Sequence, residues 1–311
     1  MPLSRASLRV ALGCALCCAG CGAADVRDPP PGATSSAFRP AGDAALDRVV
    51  ERCQASCPPD ERLALAQRLL ERSQEARRRG LEADERAQAT TDTATQREQR
   101  AASEVAMAEV ARDRGRALEE LRVIAGDVTV PPPRVVETAL SELLFALADE
   151  GARDEVKALA ERIVRDAPTR PVAAHAWLAL GDRAFEDMDL AGARDAYLAT
   201  LSVPGAEART TVYARYKLAW TYLNLSDFRG ACDAFREVAR ADDQPLLARE
   251  ARRDFVRALV PLDGTPAQDA AELRGVAQDD AQATELAGRF DEALREVGLD
   301  ARADAFRAGW R

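Results

Sequence analysis

The strongest constraint on the fold is a set of residues that returns 38 positions further along the chain. Trp177, Leu180, Gly181, Ala193 and Tyr197 are followed by Leu218, Ala219, Tyr222, Ala231 and Phe235, with Gly181 to Ala219, Ala193 to Ala231 and Tyr197 to Phe235 each 38 apart. Small residues at Gly181, Ala193, Ala219 and Ala231 let two antiparallel helices approach, and the large residues fill the space beside them. A weaker copy comes first, with Leu140, Leu143, Leu144, Leu147, Val156, Ala160 and Ile163 in equivalent places and Pro168 at its end. Three such units are about the minimum for a stable stack, because each buries its apolar face against its neighbours.

Ala, Leu, Arg and Glu dominate the rest of the chain, side chains that lose little rotamer freedom in a helix. Segments rich in Val, Ile, Thr and aromatics with alternating polarity are almost lacking. The expected fold is therefore all-α. From Asp43 to Ala125 the sequence is helical, broken at Pro58-Pro59 and restarted with Asp60 as N-cap. Leu63, Ala66, Leu69, Leu70 and Ser73 form one apolar stripe; Val105, Ala108, Leu118 and Leu121 form a weaker one. Thr90, Thr91, Thr93 and Thr95 mark a turn between them, so residues 43–125 read as a long helical hairpin, or as one coiled-coil-like helix with poor heptads. Residues 134–243 hold the repeats, and 244–311 read as C-terminal capping helices: Gln244 to Val260, Ala267 to Ala277, Ala281 to Val297 and Ala301 to Arg311.

The amino terminus has the layout of an export signal over residues 1–20: Arg5 and Arg9, an apolar run from Val10 to Gly20, then small residues. Cys18-Ala19-Gly20-Cys21 resembles a bacterial lipobox, which implies a lipid on Cys21 as the mature first residue. Cleavage after Ala23 or Ala24 is the other reading. Residues 21–42, with Pro29, Pro30, Pro31 and Pro40 and few large apolar side chains, read as a flexible tether. Cys53 and Cys57 are the natural pair in an oxidising compartment, standing as either a disulfide or two thiols. Cys232 reads as packing.

The recurring residues resemble those of the tetratricopeptide repeat, which has a period of about 34; the Ser202 to Gly205 insert takes up the extra length. Joined to the leader, they resemble the tetratricopeptide lipoproteins of Gram-negative envelopes. That resemblance implies an α-solenoid scaffold or adaptor on the periplasmic face of the envelope, anchored by lipid to the outer membrane, in a motility, secretion or outer-membrane assembly complex. It also implies a partner-binding concave face. Carried onto this chain, that face holds Phe145, His175, Leu178, Asp182, Phe185, Tyr213, Tyr216, Trp220 and Asn224. The fold alone does not name the partner.

Charge and composition argue against other functions. A net charge of -9 repels nucleic acid. The single histidine, His175, weighs heavily against histidine-based catalysis and a histidine-ligated metal. No phosphate-binding glycine loop or H-E-x-x-H motif is present. Neither a cofactor nor a small-molecule substrate is expected. A carboxylate-based glycan hydrolase would need two converging acids, and Glu186, Asp187 and Asp189 read instead as a solvated turn. A structural spacer is the remaining alternative. Asn224-Leu225-Ser226 has the form of a glycosylation acceptor and reads as turn chemistry at the start of a helix.

Overall fold

The computed structural model describes residues 43–55, 57–126 and 133–310; the leader, Cys21 and the tether lie outside the described residues. Among the described residues there are thirteen helices and no strand, so the chain is all-α. The first three are α1 (Asp43–Ala55), α2 (Pro59–Ala89) and α3 (Thr93–Ala125). Six follow in pairs: α4 (Arg134–Asp149) with α5 (Arg153–Asp166), α6 (Val172–Glu186) with α7 (Leu190–Ser202), and α8 (Ala208–Asn224) with α9 (Phe228–Ala239). The last four are α10 (Pro245–Leu259), α11 (Pro266–Val276), α12 (Asp280–Glu296) and α13 (Asp300–Gly309).

Helices α2 and α3 pack along their whole length. Arg62 meets Glu120, Arg72 meets Asp113, Arg79 meets Glu109, and Gln96 donates to the carbonyl of Ala87. Partners advance on one helix as they retreat on the other, so the two run antiparallel. Their buried seam steps by three and four residues: Ala66, Leu69, Ser73, Ala76, Gly80, Ala83 and Ala87 face Ser103, Ala106, Val110, Asp113, Ala117, Glu120 and Ile124. That is a heptad seam built mainly of small residues, which brings the two backbones close. The heptads that looked poor in large apolar residues are regular in small ones. The stripe expected through Val105 and Ala108 is corrected by this seam: both are exposed, and Ser103, Ala106 and Val110 are buried in their place.

Two further expectations are corrected locally. Asp60 is not the N-cap of α2; Pro58 holds that position and Asp60 sits in the first turn, where its charge favours the helix dipole. Asn224 ends α8 and does not begin a helix.

The pairs α4/α5, α6/α7 and α8/α9 pack internally, and each packs on the next. Residues of the recurrence are buried: Ala193, Tyr197, Ala219, Ala231 and Phe235 are all closed to solvent, with Gly181 against the Tyr197 ring. A second recurrence lies in the turns. Gly151, Met188 and Ser226 adopt left-handed backbone, and the residue after each donates five residues back: Ala152 to Leu147, Asp189 to Ala184, and Asp227 to Tyr222. This is the Schellman way of ending a helix. Asp189 and Asp227 then cap the next helix through the N–H of Gly192 and Gly230. Gly298 ends α12 with the same turn, Leu299 donating to Leu294.

Phe235 and Val238 of α9 share one core with Phe255 and Leu259 of α10, Leu273 of α11, Phe290 of α12 and Phe306 of α13. Arginines close several helix ends, where the last carbonyls lack partners within the helix. Arg162 donates to Ala125 O, Arg252 to Ala239 O and Val276 O, and Arg302 to Val260 O.

Candidate functional site: the first-helix face

Three contacts define the candidate face: α4 touches α6, α6 touches α8, and α8 touches α10. The first helix of each pair thus lies beside the first helix of the next. Residues one helical turn apart on each of them form neighbouring rows.

At the α4 end, Phe145 is 51% exposed and its ring lies 5.1 Å from the His175 ring. His175 is buried and ties three helices together. Its Nδ1 is 2.9 Å from Ser141 Oγ on α4, and its Nε2 is 3.0 Å from Thr210 Oγ1 on α8. A neutral ring can donate from one nitrogen and accept at the other, and both hydroxyls can take either role. Burial lowers the pKa of His175, while the Glu207 carboxylate, 4.0 Å from Nε2, pulls it up.

Midway along the face, Asp182 accepts a 2.7 Å hydrogen bond from Tyr197 OH and pairs with Lys217 Nζ at 3.3 Å. The same ammonium lies 4.9 Å above the Phe185 ring, a cation–π contact that joins α6 to α8. Leu178 is buried with Tyr197, Ala214 and Leu218, and Tyr213 is half-buried against that cluster.

The α8 end is more enclosed. Tyr216 and Trp220 are half-buried edge-on to Phe235, at 5.8 and 5.9 Å. Tyr216 OH donates to Asp254 Oδ2 of α10 at 2.6 Å, and the Arg257 guanidinium lies 5.8 Å from the Trp220 ring. Burial raises the pKa of Asp254, and the hydrogen bond from Tyr216 and the charge of Arg257, 3.5 Å away, pull against that rise without cancelling it. Asn224 is exposed and donates to Trp220 O.

All nine residues expected on this face are therefore carried by α4, α6 and α8, but they differ in access. Phe145 and Asn224 are open, Leu178 and His175 are buried, and the other five are half-buried. Sequence reasoning missed Ser141, Thr210, Asp254 and Arg257. A signal for the first two existed in the need of any buried histidine for partners at both nitrogens.

The other candidates have structural work. Glu186 pairs with Arg153, Asp187 with Arg183, and Asp189 caps α7; all three are exposed. Cys53 and Cys57 are joined in a disulfide, and Cys232 is buried, its thiol pushed up to about 12 by burial. Among the described residues, no helix is long and apolar enough to cross a membrane. No protein-family model matches the chain. Comparison with curated proteins likewise finds no significant match.

Proposed function

We propose that this protein is a non-enzymatic scaffold or adaptor of the bacterial cell envelope. In this reading α4 to α9 are a tetratricopeptide-type α-solenoid and α10 to α13 cap it. Helices α2 and α3 form a hairpin that holds the repeats away from the tether, and a lipid on Cys21 anchors the chain to the outer membrane from the periplasmic side.

The observation that supports the reading is the row of first helices: α4, α6 and α8 touch in succession, and they carry Phe145, His175, Asp182, Phe185 and Tyr213. Tyr and Phe side chains combine large apolar area with few rotatable bonds, so they serve as anchors at interfaces. Partner capture should depend on the open end of this face. Phe145→Glu changes an exposed residue and should abolish co-purification of a specific envelope protein while leaving the helical circular dichroism unchanged. Capture that survives this variant and Asn224→Glu alike would place the partner elsewhere. Mass spectrometry of the mature amino terminus tests the anchor: diacylglycerol on Cys21 supports it, and an unmodified chain beginning at Ala24 or Asp25 refutes it.

A spacer role has its own support in α2 and α3. Helices of 31 and 33 residues are about 45–50 Å long at the usual rise. Shortening both by two heptads would reduce function in a spacer without touching partner capture.

A further inference from the structure

Cys53 lies in the last turn of α1, Cys57 in the link to α2, and Glu61 in the first turn of α2. The two sulfurs and a carboxylate oxygen of Glu61 all lie within 4.8 Å of one another. Cys53 is fully buried, Cys57 is half-buried and Glu61 is exposed, so the cluster opens to solvent on its carboxylate side.

Arg62 holds the backbone of this cluster independently of the sulfur–sulfur bond. It donates from Nη2 to Cys53 O at 3.2 Å and from Nε to Cys57 O at 3.3 Å. The same guanidinium pairs with Glu120 of α3, whose side chain is 1% exposed. Opening the disulfide therefore leaves both sulfur-bearing residues fixed to the α2/α3 pair. Preorganised ligands held by an outer layer of hydrogen bonds are what a metal site requires.

We propose that Cys53, Cys57 and Glu61 form a thiol-gated site for a zinc-class divalent metal, closed by the disulfide and opened by its reduction. A dithiol reductant supplies the electrons. Its thiolate attacks one sulfur, the Cys53–Cys57 bond breaks, and the mixed disulfide is resolved by the reductant's second thiol. The reductant leaves as its own disulfide, and two electrons and two protons remain on Cys53 and Cys57. Metal binding then displaces those two protons to solvent, giving two thiolates and one carboxylate as ligands. Two sulfurs and one oxygen suit zinc, whose fourth position water can fill from the open side. Glu61 gives up its exposed pairing with Arg52, at 3.3 Å, to take part.

The test uses cobalt(II), a spectroscopic substitute for zinc, on the full chain with Cys14, Cys17, Cys18 and Cys21 replaced by serine so that the amino-terminal thiols cannot bind it, in reduced and oxidised form. Reduced wild type should show sulfur-to-cobalt charge-transfer absorption that the oxidised protein lacks and that the Cys53→Ser, Cys57→Ser double variant loses. Glu61→Gln keeps both sulfurs and alters only an exposed side chain, so it folds as the wild type does; it should bind at least roughly tenfold more weakly. Equal cobalt affinity in Glu61→Gln and wild type overturns the proposal. So does equal absorption in the oxidised protein or in the double serine variant.

Discussion

Arg72 of α2 donates from Nε and Nη2 to the two carboxylate oxygens of Asp113 on α3, at 2.6 and 2.8 Å, within a seam of mostly small residues. Asp113 is 1% exposed. The fork of this pair favours the observed register, because a slip of one helix along the other breaks both of its hydrogen bonds, leaving Asp113 the pairing with Arg112 at 3.3 Å on its own helix. Arg72→Met should therefore cost about 3–5 kcal/mol, whereas Arg72→Met with Asp113→Leu should recover most of that loss. Urea unfolding of both variants reads the difference. Equal losses in the single and the double would mean that the pair does not set the packing.

Two glycines on close-packed helices should respond in opposite directions. A Cβ on Gly80 would lie 2.7 Å from Met107 Cε, the free end of a flexible side chain, and 3.4 Å from Ala106 Cβ. Gly80→Ala should gain up to about 1 kcal/mol of helix stability once Met107 moves aside. A Cβ on Gly181 would lie 2.6 and 2.8 Å from two ring carbons of Tyr197, which is fully buried and tied to Asp182. Gly181→Ala should cost about 1–3 kcal/mol. Thermal melts followed by circular dichroism check both signs.

Met188 and Ser226 hold left-handed backbone at φ 61° where the first and last of the four equivalent turns use Gly151 and Gly298. A side chain in that region is strained. Met188→Gly and Ser226→Gly should each stabilise by about 1 kcal/mol, and Gly151→Ala should destabilise by a similar amount. An unchanged melting temperature in all three would show that the turns relax at no cost.

Much of this architecture was readable in the residues. Proline and aspartate punctuate α10 to α13, so their limits fell within two residues of those expected; Thr265 and Gln268 form a capping box at the start of α11. Gly181, Ala193 and Tyr197 revealed their pairing because small against large is a strong packing signal. The α2/α3 seam was hidden by the same logic inverted. A search for large apolar residues passes over Ala76, Gly80, Ala83 and Ala87, which pack by closeness and not by area. For Tyr216 and Trp220 the sequence left two readings open, an open groove or a stripe covered by the helix from Pro245 to Val260; Asp254 and Arg257 of that helix, which does not repeat the pattern, are the residues that meet them.

His175 makes stability depend on pH in a defined direction. Its folded pKa lies below the ordinary value near 6.5, so the unfolded chain takes up the proton first. The contribution of the neutral ring is complete above about pH 6.5 and is lost as pH falls through the lowered folded value. His175→Gln keeps a donor and an acceptor but cannot titrate. The stability gap between wild type and His175→Gln should narrow on going from about pH 7.5 to pH 5, as judged by urea midpoints. A constant gap would show that His175 keeps its ordinary affinity for protons.

Site-specific photo-cross-linking in the native cell tests the central claim most directly. A photoreactive amino acid is placed at Phe145 or Asn224 on the first-helix face, and, as control, at Leu198 on α7, which is 42% exposed. A groove that docks a partner gives the same discrete protein adduct from Phe145 and Asn224 and none from Leu198. Adducts that form equally from all three positions, or from Leu198 alone, would contradict the assignment of this face as the binding surface.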